Sequence, residues 1–325
     1  MSHRDHLPQL DGGLFLTDGG IETTLIFHEG IDLPLFAAFD LLKDDEGTEA
    51  LRRYYEPYAE LAREHQVGFV LESPTWRASP RWAKELGYSE RELEQLNRKA
   101  IALMEEIRES HAGTGAPVVI SGCVGPQDDG YNPSRILSPA AAEDYHSTPI
   151  RTFSETGADM VTAITMTHVE EALGVTRAAS AAGMPVAISF TVETDGRLPS
   201  GQGLAEAIEQ VDGETDGGPA YYMINCAHPT HFAGVIERPG PWRQRIRGLR
   251  ANASRMSHSE LDEATELDDG DPGDLGARYA AVATTLPNLN VVGGCCGTDL
   301  RHVREACEAL SARSRRLIEK GERDG

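Results

Sequence analysis

Asp159-Met160-Val161-Thr162-Ala163, the run from Val169 to Ala182, and Pro185-Val186-Ala187-Ile188-Ser189-Phe190 follow one another with almost nothing between them. The first and third pieces are short, apolar and rich in β-branched residues, as buried strands are. The middle piece has the length and composition of a helix. A strand, a helix and a second strand joined by short connections make a βαβ unit, whose two strands run parallel. Strands covered by helices on one face and a core on the other read as continuous apolar runs, and both of these do.

The same alternation extends in both directions. Towards the N-terminus, Leu14-Phe15-Leu16-Thr17 leads into Asp18, and Thr48 to Gln66 reads as a helix. Val67-Gly68-Phe69-Val70-Leu71 ends at Glu72 and is followed by a helix over Ser89 to Ser110. Pro117-Val118-Val119-Ile120 precedes a helix over Pro139 to Thr156. Towards the C-terminus, Leu204 to Val211 completes the fifth unit, and Tyr221 to Cys226 is the sixth strand. Arg245 to Arg250 is a short, arginine-rich seventh strand with its helix over Asp274 to Leu286. Leu289-Asn290-Val291-Val292 and a helix over Asp299 to Lys320 close the series. Eight such units imply an α/β fold, a single (β/α)8 TIM-type barrel spanning residues 1–325 with a core from about residue 14 to 312. Barrel sites lie at the C-terminal strand ends, which gathers Asp18, Glu72, Cys226, Cys295 and Cys296 on one rim.

Hydrophobic residues make up 40% of the 325-residue chain, enough for a large core, and no apolar run approaches a membrane span. No apolar segment follows the charges of Met1 to His6, so a secretory signal is not expected. Five cysteines, two of them adjacent, do not suggest a disulfide framework, which favours the cytoplasm. The net charge is −22, and four of the 30 basic residues are lysine. Such a surface repels nucleic acid and anionic membranes. Its origin has two readings, adaptation to high salt or an arginine-favouring GC-rich genome. Dinucleotide, Walker and HExxH motifs are absent, and the acidic stretch from Ser257 to Gly273 reads as a solvated loop.

Chemistry concentrates in Asn225-Cys226 and Gly293-Gly294-Cys295-Cys296-Gly297. Neighbouring residues on a strand point to opposite faces, so two adjacent cysteines share a ligand where the backbone has left the strand. The flanking glycines permit that path. Three thiolates with one tetrahedral position open are the arrangement of a catalytic Zn2+. The alternative is that these are small buried hydrophobes. His228 and His231 are competing nitrogen ligands, while Cys123 and Cys307 read as structural.

These two segments resemble the signature of the zinc-dependent homocysteine S-methyltransferases. So do Asp18-Gly19-Gly20, Gly122-Cys123-Val124-Gly125-Pro126, Ser189-Phe190-Thr191-Val192 and Asp195-Gly196-Arg197-Leu198, in order from about Phe15 to about Leu310. The resemblance implies Cys226, Cys295 and Cys296 as Zn2+ ligands and methyl transfer to the sulfur of homocysteine, giving methionine. It implies that Asp18 contacts the acceptor's ammonium, and Asn225 stands where it could orient substrate or loop. Ile164 occupies the position of a glutamate that binds the same ammonium in familiar members. Glu72 is the carboxylate that could replace it, unless it pairs with an arginine such as Arg77 or Arg81. With no length left for a cobalamin or folate module, the expected donor is S-methylmethionine or S-adenosylmethionine, with betaine behind them. Trp76 is a candidate face for a cationic donor. A different thiol or selenol acceptor, or zinc and amino-acid binding without turnover, are the competing functions.

Overall fold

The computed structural model describes residues 2–321 apart from 114 and 132. Eight strands form a closed parallel barrel in sequence order: β1 (Phe15–Leu16), β2 (Gly68–Glu72), β3 (Val118–Val124), β4 (Met160–Met166), β5 (Val186–Phe190), β6 (Tyr221–Asn225), β7 (Ile246–Ala251) and β8 (Val291–Gly294). Closure comes from β1 pairing with β8, Phe15 opposite Val291 and Leu16 opposite Val292. Each strand is followed by one or more helices, as the short connections of a parallel sheet require. The expected (β/α)8 barrel is the observed one. Among the described residues no helix is long and apolar enough to cross a membrane.

Alternation along the strands sorts side chains into two layers. Leu16, Phe69, Leu71, Ile120, Val161, Ile188, Phe190, Tyr222 and Ile224 pack outward against the helices. Phe15, Val70, Val119, Met160, Ala187, Tyr221, Met223 and Val291 fill the lumen, joined by Leu7 from the N-terminal segment. The next inward positions along several of these strands are polar: Glu72 on β2, Ser121 on β3, Thr162 on β4, Ser189 on β5, Asn225 on β6 and Arg250 on β7. Ser121 and Thr162 share a hydrogen bond of 2.7 Å, and Ser189 donates to Asn225 Oδ1 at 2.6 Å. The lumen is thus an apolar floor below a hydrogen-bonded polar end, and the change occurs within one or two inward positions.

Several strands run past their expected ends. β3 continues through Gly122-Cys123-Val124, beyond its expected end at Ile120; a Cβ at Gly122 would strike the Phe153 ring, so glycine there serves helix–sheet packing. β4 reaches Met166 through an irregularity between Ala163 and Met166, where Thr165 takes φ 67°. That irregularity lets consecutive residues Ile164 and Thr165 both line the cavity at the rim. The seventh strand is present where the arginine-rich segment placed it. The stretch between β6 and β7, to which the sequence assigns no element, contains a helix, Pro229–Ile236.

Candidate metal centre and its ion triad

Cys226 lies one residue beyond β6 with φ 51°, the left-handed conformation that turns a side chain out of the strand's alternation. Cys295 and Cys296 follow directly after β8, and Gly297 reverses the chain at φ 79°. Gly293 and Gly294 do not need positive φ. A Cβ on Gly293 would collide with Thr17, and one on Gly294 with Thr298. Close approach of β1 and of the Thr298 turn is therefore what glycine permits here. Backbone bonds hold the loops in place: Cys226 N donates to Arg250 O at 3.1 Å, Cys295 N to Ala251 O at 2.9 Å, and Ala253 N to Cys296 O at 3.0 Å.

The three sulfurs lie within 4.8 Å of one another, the one such cluster of potential ligands among the described residues. Cys226 and Cys295 are joined as a disulfide, with Cα atoms 5.4 Å apart. Thiolate ligation therefore requires the reduced pair. Burial pushes the Cys296 thiol up to about 11, so at neutral pH it needs a cation beside it to ionise. The donor set, three convergent sulfurs on the wall of a cavity, fits a thiophilic metal such as zinc and leaves room for a further ligand.

A second layer supports the sulfurs. Tyr131 hydroxyl lies 2.9 Å from Cys296 Sγ, and its ring stacks on His258 at 4.1 Å. His258 Nε2 is 2.7 Å from Cys226 O, and its Nδ1 is 3.0 Å from Glu193 Oε1. Asn225 is fully buried; its Nδ2 donates to Thr165 Oγ1 at 2.8 Å and lies 3.9 Å from Cys295 Sγ, while Oδ1 accepts from Thr165 N at 2.9 Å. Its polar atoms are thus engaged by the rim itself. His228 caps the helix that follows β6 and His231 meets Arg255 O at 2.9 Å, so neither histidine joins the thiols. Cys307 is buried in the final helix, whereas Cys123 lines the cavity.

Asp18 and Glu72 do converge, on a residue the sequence reading left out of the site. Arg250, on the inward face of β7, reaches both with β8 and β1 between it and β2. Its Nη2 is 2.9 Å from Asp18 Oδ1 and its Nη1 donates to Glu72 Oε2. Nε donates to Gly294 O at 3.0 Å and Nη2 to Gly19 O at 3.1 Å. Tyr54 donates to the other Asp18 oxygen at 2.8 Å. Asp18, Glu72 and Arg250 are 3%, 3% and 7% exposed, so this is a buried triad of formal charge −1. Burial pushes both carboxyls up, and Arg250 pulls them back towards ionisation. Neither Arg77 nor Arg81 is the partner of Glu72. A charged residue at the last inward position of a rim strand is the signal that would have found Arg250.

Thiols and triad line one cavity of about 330 Å3. Its mouth carries Phe27 and Phe36, both more than half exposed, and Asp262, Glu266 and Asp268 from the acidic stretch. That stretch, expected as a solvated loop, contributes one wall. Trp76 also lines the cavity, with the Arg77 guanidinium 4.1 Å from its ring centroid.

A family profile described as homocysteine S-methyltransferase matches residues 15–310. Methionine synthase of Mycobacterium leprae is 29% identical over 163 residues, which is 46% of this chain and 12% of that protein, so the chain spans a small part of that relative. The crystal structure of homocysteine methyltransferase MmuM from Escherichia coli in its oxidized form superposes with a TM-score of 0.72 at 18% identity, covering 94% of this chain and 97% of that one. Its metallated form gives 0.70 at 18% identity, over 94% and 98%. At such identity these two structures speak to the fold. The profile match over most of the chain carries the assignment: the protein belongs to the homocysteine S-methyltransferase family.

Proposed function

We propose that this chain is a zinc-dependent S-methyltransferase. It would move a methyl group from a small sulfonium, S-methylmethionine or S-adenosylmethionine, to an alkyl thiol of homocysteine's length, with homocysteine itself giving methionine. The observation that carries the reading is the convergence of Cys226, Cys295 and Cys296 on the wall of one cavity, in a chain of this family. Bound there, zinc would supply the Lewis acidity that keeps an acceptor thiol deprotonated near neutral pH.

The chain's own residues supply the rest. Acidic groups at the mouth, Asp262, Glu266 and Asp268, favour entry of a cationic donor. Tyr131 and Asn225 position the sulfurs of Cys296 and Cys295. The cavity holds thiol and sulfonium carbon in line and away from water. An S–CH3 bond forms as the donor's C–S bond breaks, and the electron pair returns to the donor sulfur, which leaves as a neutral thioether. That leaving group takes no proton, so the chemistry asks for position more than for a general acid.

For homocysteine as acceptor, Asp18 and Glu72 are the carboxylates that would meet its ammonium. Ile164 and Arg250 favour a second reading of the same site, a different thiol acceptor, because one offers no charge and the other already occupies both carboxylates. Turnover of homocysteine by reduced, zinc-loaded protein with each sulfonium donor tests the proposal. Thioether formation that needs zinc supports it; no transfer to any thiol overturns it.

A further inference from the structure

Resting on that thiol-transfer reading, the geometry points to an acceptor that carries a carboxylate but no ammonium, of which 4-mercaptobutanoate is the member of homocysteine's length. Two arginines on the cavity wall carry the inference. Arg250 takes the place a substrate ammonium would need. Asp18 Oδ1 and Glu72 Oε2 both face its guanidinium, and Asp18 Oδ2 accepts from Tyr54. Gly19 O and Gly294 O anchor the same guanidinium, so it is fixed rather than swinging. Ile164, on the neighbouring wall, brings no charge.

Arg77 offers the complementary feature. Its guanidinium is held between two aromatic faces, 4.1 Å from the Trp76 centroid and 3.7 Å from that of Trp82. It lines the cavity, is 6% exposed, and its Nε has no hydrogen-bond partner. Nη1 donates to the Asp128 carbonyl at 3.3 Å. Nη2 lies 4.0 Å from a carboxylate oxygen of the half-exposed Asp129, and Glu22 lines the same cavity and acts on it electrostatically. Burial lowers this guanidinium to about 10, so it remains charged at neutral pH. A rigid, desolvated, incompletely paired guanidinium is a receptor for a planar carboxylate. On the wall of one cavity, Arg250 thus already engages both carboxylates, leaving only Glu72 Oε1 without a hydrogen bond or ion pair, while the Arg77 guanidinium is incompletely paired.

The test compares three thiols of equal length by calorimetry on reduced, zinc-loaded protein. They are homocysteine, 4-mercaptobutanoate (its deaminated form) and 3-mercaptopropylamine (its decarboxylated form). 4-Mercaptobutanoate should bind at least as tightly as homocysteine, and 3-mercaptopropylamine weaker than 4-mercaptobutanoate by about ten- to hundredfold. Arg77→Gln should remove most of the preference for 4-mercaptobutanoate over the amine while zinc content stays at the wild-type level. Because the comparison among ligands needs no variant, a misfolded Arg77→Gln protein would leave it standing. Homocysteine binding about tenfold or more above 4-mercaptobutanoate would overturn the inference but leave thiol transfer intact. It would place the ammonium at Glu72 Oε1, the one triad oxygen buried without a partner besides the Arg250-paired Asp18 Oδ1. Zinc-dependent binding of none of the three would overturn both.

Discussion

Cys295 and Cys296 are neighbours in sequence just beyond β8 and Cys226 lies one residue beyond β6, and their three sulfurs meet where the two strand ends share one rim. Asp18, two residues beyond β1, Glu72 on β2 and Arg250 on β7 meet because the ring of strands closes. Both groups sit on one rim and line one cavity. The thiols are held by backbone bonds and do not depend on each other's charge to be folded. The triad is a set of buried charges in which each member needs the others. One is therefore a site that chemistry can empty and refill, the other a structural element that also shapes what enters. Substitutions should separate them.

The largest effect belongs to the thiols. Cys226→Ser, Cys295→Ser and Cys296→Ser should each lose most bound zinc and reduce transfer by about 100-fold or more, with far-UV circular dichroism unchanged. Cys307→Ser, buried in the final helix, should keep its zinc. Full zinc occupancy in all three rim variants would erase the distinction drawn here.

Next comes Arg250→Met, which strands two buried carboxylates. Removing one partner of a buried ionic group costs about 3–5 kcal/mol, read as a shift in the urea midpoint, while the folded fraction retains zinc. The double change Arg250→Met with Glu72→Gln should recover part of that loss. Unchanged stability in the single variant would show that Arg250 is not what holds the two carboxylates.

Glu72→Gln alone should be milder, about 1–3 kcal/mol from one lost charge-assisted bond, with thiol affinity preserved. The opposite pattern, weaker homocysteine binding at unaltered stability, would return Glu72 to the role of ammonium ligand.

Smallest is a pH slope. Burial pushes the Glu22 carboxyl from 4.5 up to about 7, so the folded chain binds a proton there more tightly than the unfolded chain. Its contribution is present below about pH 4.5 and is lost as pH rises to about 7. Glu22→Gln should flatten stability against pH over that window, and an unaltered slope would mean the shift lies elsewhere.

Fold and thiols were legible in the sequence for a shared reason: their signals are local. Each strand and helix announces itself by an apolar run and its length, and Gly293 to Gly297 is a continuous segment. Strand ends were less legible. Gly122-Cys123-Val124 has the composition of a turn, yet helix packing over Gly122 keeps it in β3. The reason for Gly293 and Gly294 was also misplaced, since steric approach by Thr17 and Thr298 is a tertiary fact. Charge partners were the least legible. Glu72 has Arg77 and Arg81 close by in sequence, but Arg250 wins because inward alternation on β7 aims it into the same lumen. Tyr131 had no signal at all: it reaches Cys296 from the long β3 loop, whose course no periodicity reveals.

Zinc K-edge X-ray absorption on reduced, zinc-loaded protein tests the account most directly, because it counts sulfur neighbours before and after a thiol is added. The expected result is three sulfurs at about 2.3 Å with one lighter ligand, becoming four sulfurs with 4-mercaptobutanoate or homocysteine bound. A resting count below three, or a count that does not rise when a thiol is bound, would contradict it.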